Sequence, residues 1–314
     1  MQPVELNAPA RGAYAALNEL IALRFSARRL NLARPKRALS ALAGPNKTNF
    51  RGRGIDFEEV RRYQSGDDIR TIDWRVTART GDAHTKLFRE ERERPVLVVV
   101  DQRAGMFFGS THCCKSVLAA HLASLLAWSA LLAGDRVGGV VFDDGGHREV
   151  RPRRSRKTVL ALLSDIDRYN RALPAPLQRE EARQFAAMLE NLRRIARPGS
   201  SLYLVSDFRG AEGQRAREQL YELAKHTEIT ALACADPLEM ELPRDGDYVA
   251  TDGRERVRLN TSDRAARRRY REQFRARREA LALDLLRLGI PMLPASTADS
   301  PLGLLQTYYG DQRR

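Results

Sequence analysis

The residues best placed to do chemistry are aspartates that end apolar runs. Val96-Leu97-Val98-Val99-Val100 ends at Asp101, and Leu202 to Ser206 ends at Asp207. A continuous β-branched run reads as a strand buried on both faces. Each carboxylate is then carried to the carboxyl end of its strand, where ligand sites of open α/β sheets lie. Two carboxylates meeting there can hold a divalent cation and support hydrolysis of a phosphate ester. Equally, each Asp can cap the loop or helix that follows it. A second acidic group, Asp67, Asp68 and Asp73, has no His or Glu at the spacing of a metal cluster. Asp67 and Asp68 sit in a Ser-Gly-Asp-Asp turn close to Arg61, Arg62, Arg70 and Arg75, which points to carboxylates that accept backbone hydrogen bonds and pair with arginine. Trp74 is expected to pack this segment onto the main domain.

Nucleophile patterns are weak. His84, His112, His121, His147 and His226 show no paired spacing, and neither a Gly-x-Ser-x-Gly elbow nor a Gly-rich phosphate loop is present. Cys113 and Cys114 follow His112, but neighbours at a helix start diverge in space, so packing or helix entry is the expected role.

The elements that must position these groups follow from the hydrophobic pattern. Residues 11 to 30 read as a docking helix outside the core, 31 to 54 as an irregular basic arm, and 55 to 94 as a charged segment with a short strand near Thr85 to Phe88. From Pro95 onward strands and helices alternate. Strands are expected at Val96 to Val100, Val137 to Phe142, Ser201 to Ser206, Glu228 to Cys234 and Ile290 to Leu293, with a further short one ending near Arg151. Helices are expected at about 115–133, 155–169, 180–196, 214–225 and 262–288. The fold class is therefore α/β: a mostly parallel central sheet with helices on both faces, plus a mixed N-terminal extension. The expected domains are 1–94 and 95–314, the latter with an insertion at about 239–260.

The 314 residues include 54 Lys and Arg against 40 Asp and Glu, a net charge of +14. Charged residues make up 30% of the chain, which argues against a membrane-embedded protein, and 43% apolar residues in blocks argue against disorder. The most apolar stretch, Val117 to Ala133, is interrupted by His121, Ser124 and Ser129 and reads as a buried helix. Three cysteines without framework spacing, and an N-terminus without the pattern of a signal peptide, fit a reduced cytoplasmic compartment. The basic surplus is local: nine arginines fall between Arg258 and Glu279. They read as a solvated helix face, with Tyr270, Phe274 and Leu281, Leu283, Leu285 and Leu286 turned to the core. The alternative, a nucleic-acid helix, would set those arginines along phosphates; no recognised motif accompanies them, and aromatics are only 7% of the chain.

A resemblance adds to this reading. Gly52-Arg53-Gly54-Ile55-Asp56-Phe57, the run Arg61-Arg62-Tyr63-Gln64-Ser65-Gly66-Asp67-Asp68-Ile69-Arg70-Thr71-Ile72-Asp73-Trp74, Lys86-Leu87-Phe88, Met106-Phe107-Phe108-Gly109 and Gly134-Asp135-Arg136-Val137-Gly138 resemble the bacterial domain of unknown function 58 family. It covers about residues 50 to 210. The resemblance implies a von Willebrand factor A-like, Rossmann-type domain with an N-terminal extension. It further implies a non-enzymatic partner or adaptor of a MoxR-type AAA+ ATPase that serves client proteins in complex assembly or maturation, rather than an enzyme. Arg53, Arg61, Tyr63, Asp67, Asp68, Arg70, Asp73 and Trp74 are its interaction candidates. Such domains often hold magnesium through Asp-x-Ser-x-Ser, a Thr and a further Asp. Here the loop reads Asp101-Gln102-Arg103-Ala104-Gly105, so Arg103 and Gly105 replace both serines, and 170–180 contains neither Thr nor Ser. No cofactor is expected; were magnesium to bind, Asp101 and Asp207 would be its ligands. Instead Arg103 is expected either to bridge Asp101 and Asp207 in the cation's place or to point to solvent.

Overall fold

The computed structural model describes residues 8–32, 56–64, 72–89, 94–173, 181–244, 246–251 and 256–310. Near the N-terminus the helical pattern resolves into two short helices, α1 (Leu17–Ala22) and α2 (Arg24–Ala27), which meet at Leu23. Unlike the expected docking helix, this segment contributes to the core: Leu20, Ala27 and Leu30 are buried, whereas Tyr14 and Phe25 are exposed.

Phe50–Glu93 forms a small unit of its own. Its described part pairs β1 (Asp56–Arg62) antiparallel with β2 (His84–Arg89). Between them lies a helix absent from the sequence-based expectation, α3 (Trp74–Thr80). Asp73 caps it by accepting hydrogen bonds from the amides of Arg75 (3.0 Å) and Val76 (3.2 Å). Gly81 ends it at φ 80°, a conformation that favours glycine. Trp74, expected to be packed, opens this helix and is 69% exposed.

The larger unit comprises residues 1–49 and 94–314. The expected boundary at residue 94 therefore separates the N-terminal helices from the unit they belong to. Its sheet contains β3 (Pro95–Asp101), β4 (Arg136–Phe142), β5 (His147–Arg153), β6 (Ser201–Ser206), β7 (Glu228–Ala235) and later β10 (Met292–Ser296). The spatial order is β10-β7-β6-β3-β4-β5, parallel throughout except for the antiparallel edge strand β5. Counted within this sheet alone, that is the doubly wound order 3-2-1-4-5-6, with its switch point between β3 and β6.

Between the strands run α4 (Lys115–Leu132), α5 (Arg156–Arg171), α6 (Glu181–Ile195), α7 (Gln214–Ala224) and α8 (Pro237–Met240). A small hairpin of β8 (Asp247–Thr251) and β9 (Arg256–Asn260) precedes α9 (Arg264–Arg287). The chain continues through β10, two residues later than expected, into α10 (Pro301–Tyr309), for which the sequence reading had no counterpart.

Strand alternation explains the layers. Val96, Val98 and Val100 of β3 pack into a cluster with α1, α2, α4, α5 and α10, while Leu97 and Val99 pack with α6, α7 and α9. Each such side chain contributes roughly 1.5–3 kcal/mol by burial. Helix α4 is long and apolar enough to cross a membrane by length and composition, yet 83% of it is buried in this structure, where it is the central helix of one layer. Ser124 Oγ and Trp128 Nε1 both donate to the carbonyl of Leu20, and Ser129 Oγ donates to that of Leu30, tying α4 to the N-terminal segment.

Candidate functional site

Because β3 and β6 are adjacent and parallel, they deliver Asp101 and Asp207 to the same edge at the switch point. Arg103 lies between them. Its Nη2 donates to Asp101 Oδ2 at 2.6 Å and its Nε to Oδ1 at 3.0 Å, and Nη2 stands 3.7 Å from Asp207 Oδ1. Nη1 donates to the carbonyl of Arg209 at 3.0 Å. Arg103 is 3% exposed, and its guanidinium is flanked by the rings of Phe142 and Phe185 at 5.5 and 5.4 Å. The two arrangements left open by the sequence are thus decided in favour of the buried fork. Asp101 also accepts from Ser206 Oγ (2.6 Å) and from the Arg103 amide (3.0 Å), so its charge is fully engaged.

A second internal cation, which the sequence reading did not single out, completes the site. Lys115 opens α4 and is fully buried; its Nζ donates to Asp207 Oδ2 at 2.8 Å and to Glu239 Oε1 at 2.7 Å. Lys115 is the one charged residue of an 18-residue apolar helix, and that isolation was the available signal. Glu239 was also legible, as the fourth residue of Asp236-Pro237-Leu238-Glu239, a capping-box spacing that α8 realises. Arg209 adds a partly exposed bond to Glu239 at 3.2 Å. Just before it, Phe208 adopts φ 61°, a left-handed conformation unfavourable for a bulky residue. Burial of the Phe208 ring against Phe185 holds that turn in place.

The electrostatics follow from this geometry. Burial alone would raise the Asp207 pKa, but Lys115, Arg103 and Arg209 outweigh it and hold the carboxyl well below the usual carboxylate range. Burial likewise opposes charge on Lys115, yet Asp207 and Glu239 outweigh it and raise its pKa. Asp207, with its depressed pKa, contributes stability above the unfolded value of about 3.9 and loses it as pH falls through its folded value. Lys115, with its raised pKa, contributes below about 10.4 and loses it as pH rises through its folded value. The cluster is therefore expected to stabilise the fold evenly from about pH 5 to 9. Urea melts of wild type and Lys115→Met across that range check this: a stability difference that peaks and falls inside the window would show that other groups govern the site.

Around this core the strand-end loops are cross-tied. Asp236, at the end of β7, accepts from the Ser110 amide (2.8 Å), the Ser110 hydroxyl, Thr297 Oγ1 (2.5 Å) and the Leu238 amide (2.9 Å). Asn170 links the Ala15 amide to Gln102 Oε1, and Asp144 accepts from the Ala104 amide. Gly109 is required in the loop, since a Cβ there would meet the Cys113 carbonyl at 2.0 Å.

Of the other candidates, Arg53, Asp67, Asp68 and Arg70 lie outside the described residues. Arg61 pairs with Thr85 in the β1–β2 register, Tyr63 donates its amide to Ala83, and Asp73 caps α3. Cys113 is buried, and burial with neighbouring Cys114 and Asp236 pushes its thiol up to about 12, the opposite of an activated nucleophile. Among the described residues no group of three or more His, Cys, Asp or Glu is arranged to hold a metal. The donor set between Asp101 and Asp207 does not fit magnesium, which needs oxygen ligands where this chain places a guanidinium and an ammonium.

On α9, Leu285 is buried, but Leu283 and Leu286 are exposed rather than turned to the core. The long helix meets the sheet through a narrower stripe than its leucines imply.

Fold and site together define a doubly wound α/β protein whose sheet edge is closed by its own cations. The chain belongs to the family described as "Protein of unknown function DUF58", whose model matches residues 59–280. It is 30% identical over 264 residues to "Uncharacterized protein Rv1480" of Mycobacterium tuberculosis (strain ATCC 25618 / H37Rv) and equally to "Uncharacterized protein Mb1516" of Mycobacterium bovis, covering 84% of this chain and 81% of each relative. Similar solved structures include an "aerotolerance-related membrane protein from Bacteroides fragilis", with 15% identity and a TM-score of 0.44, covering 68% of this chain and 96% of that one. Another is the "conserved hypothetical protein BatB from Bacteroides thetaiotaomicron", with 15% identity and a TM-score of 0.38, covering 62% and 98%.

Proposed function

We propose that this protein is a non-enzymatic, cytoplasmic interaction module, a partner of a MoxR-type AAA+ ATPase that couples the ATPase to client proteins during complex assembly or maturation. The observation that carries the reading is the closed sheet edge. Asp101 and Asp207, the carboxylates available for metal or acid–base chemistry, are spent on Arg103 and Lys115. Matched in this way, the charges tie the strand-end loops to one another, which supports a role in presenting those loops. The thiol of Cys113 is raised, which further weakens a catalytic reading, and free Cys113, Cys114 and Cys234 suit a reducing compartment. Recognition is by protein contact, through the loops at 101–109 and 207–210 and the segment 67–74, where Trp74 offers an exposed aromatic anchor. Acidic protein surfaces, rather than nucleic acid, are the counterpart of the basic α9.

The test is a pull-down of the MoxR-type ATPase of the same organism by the full chain, repeated with Asp67→Asn, Asp68→Asn and Arg70→Gln combined. Retention by wild type and at least tenfold less by the triple variant is expected. Retention unchanged in the variant removes the segment from the interface, and no retention by wild type overturns the adaptor reading.

A further inference from the structure

Helix α9 turns toward the sheet a stripe at helical spacing, Tyr270, Phe274, Leu281, Leu285 and Leu288, and this stripe is interrupted in its middle by Arg277 and Arg278. Both arginines line a cavity of about 710 Å³ between α9, α7 and the ends of β6 and β7. That volume lies within the roughly 300–1,000 Å³ of small-molecule sites. Its walls are mainly aliphatic and aromatic, including Phe208, Leu220, Ala233 and Cys234.

The charges around the cavity divide into two kinds. Lys115 and Arg209 are held by Asp207 and Glu239, Arg217 pairs with Asp284 at 3.0 Å, and the lining carboxylate Glu212 accepts from the Gly210 amide at 2.9 Å. Arg277 and Arg278 have no carboxylate partner among the described residues. The Arg278 guanidinium lies 5.9 Å over the Phe274 ring, half-buried, and burial lowers its pKa, outweighing the attraction of Cys234 and Glu239. Arg278 is half-buried on the inner stripe, and the exposed Arg277 beside it stands at the mouth of the cavity. One guanidinium set against an apolar wall and a second at its rim supply donors for a carboxylate, with hydrocarbon lining the cavity beyond it.

We propose that this cavity binds a small anionic amphiphile, a carboxylic acid with an apolar body, whose carboxylate is held by Arg277 and Arg278 and whose hydrocarbon lies along Leu220, Phe274 and Leu281. The cavity shares Asp207, Phe208 and Arg209 with one loop of the proposed ATPase contact, but its binding is read by calorimetry with substitutions on α9 and the ATPase contact by retention with substitutions at 67–70, so either proposal can fail without the other.

Calorimetric titration of the full chain with decanoate, and with decan-1-ol as the uncharged control, tests it. One decanoate per chain is expected, with the alcohol at least tenfold weaker. Arg277→Gln with Arg278→Gln, checked for folding by circular dichroism, is expected to weaken decanoate about 10- to 100-fold, the range of one or two charged hydrogen bonds. Exposed Gln273 also lines the cavity, and Gln273→Trp is expected to weaken decanoate and the alcohol alike by narrowing the space. No saturable decanoate binding, equal affinity for the alcohol, or undiminished binding by the double arginine variant would each overturn the proposal. So would binding of an acetylated and amidated leucine–glutamate peptide with decanoate inert, which would assign the cavity to a protein segment.

Discussion

Replacing Lys115 with Met is expected to cost about 3–5 kcal/mol of folding stability, read as a lower midpoint in urea and a fall in Tm on the order of 10 °C. Methionine keeps most of the side-chain volume, so the loss reports charge rather than packing. Asp207 and Glu239 would remain at the sheet edge with their shared ammonium gone, and Asp207 is all but enclosed, its side chain 6% exposed. Arg209 cannot replace the lysine, because its own side chain is 45% exposed and its attraction is screened by water. Combining Lys115→Met with Asp207→Asn and Glu239→Gln should recover at least half of the loss, since a buried charge without a partner costs more than a neutral polar group. A single variant within 1 kcal/mol of wild type would show that Lys115 is not the counter-ion the fold depends on.

The second large effect concerns Arg103. Restoring serines with Arg103→Ser and Gly105→Ser removes the fork that holds Asp101 and leaves that fully buried carboxylate with Ser206 as its main side-chain partner. A destabilisation of about 3–5 kcal/mol in magnesium-free buffer is expected. Wild type is expected to show no magnesium-dependent shift in Tm and no saturable heat on titration with magnesium, because its cation site is filled by its own side chains. Strong magnesium binding by wild type would sink the idea that arginine stands in for the metal.

The central strands and their order of appearance were legible because burial on both faces leaves a plain chemical mark, an uninterrupted β-branched run such as Val96 to Val100. Asp101, Arg103 and Asp207 were legible as candidates for a related reason: a strand end is a place, and the pattern locates strand ends. Lys115 and Glu239 were not assembled with them, although each carried a local signal, because they come from different helices, 124 positions apart. Only the parallel packing of β3, β6 and β7 brings those helix starts to one edge.

The N-terminal segment and α9 show the limits of periodicity from opposite sides. Residues 11 to 30 looked like a docking element, yet Leu20 is wholly buried in the apolar cluster it shares with α4, whose Ser124 and Trp128 also satisfy the carbonyl of that turn. In α9 the leucines suggested a broad inner face, and the structure instead turns Leu283 and Leu286 outward and brings Arg277 and Arg278 to the cavity. A helical pattern states which residues share a face. It does not state which face the sheet will cover, and a helix rich in both arginine and leucine leaves that choice to packing.

By itself, then, the sequence determined the α/β class, the strands that form the sheet, the family signature and the aspartates at two strand ends, since all of these are written in residues near one another in the chain. Tertiary structure alone decided that Arg103 bridges those aspartates, that Lys115 and Glu239 join them, and that two arginines of α9 line an apolar cavity. The physical reason is that charge pairing in a buried site depends on distance through space, and the residues that meet at this edge are brought within reach only when the sheet closes its order around the switch point.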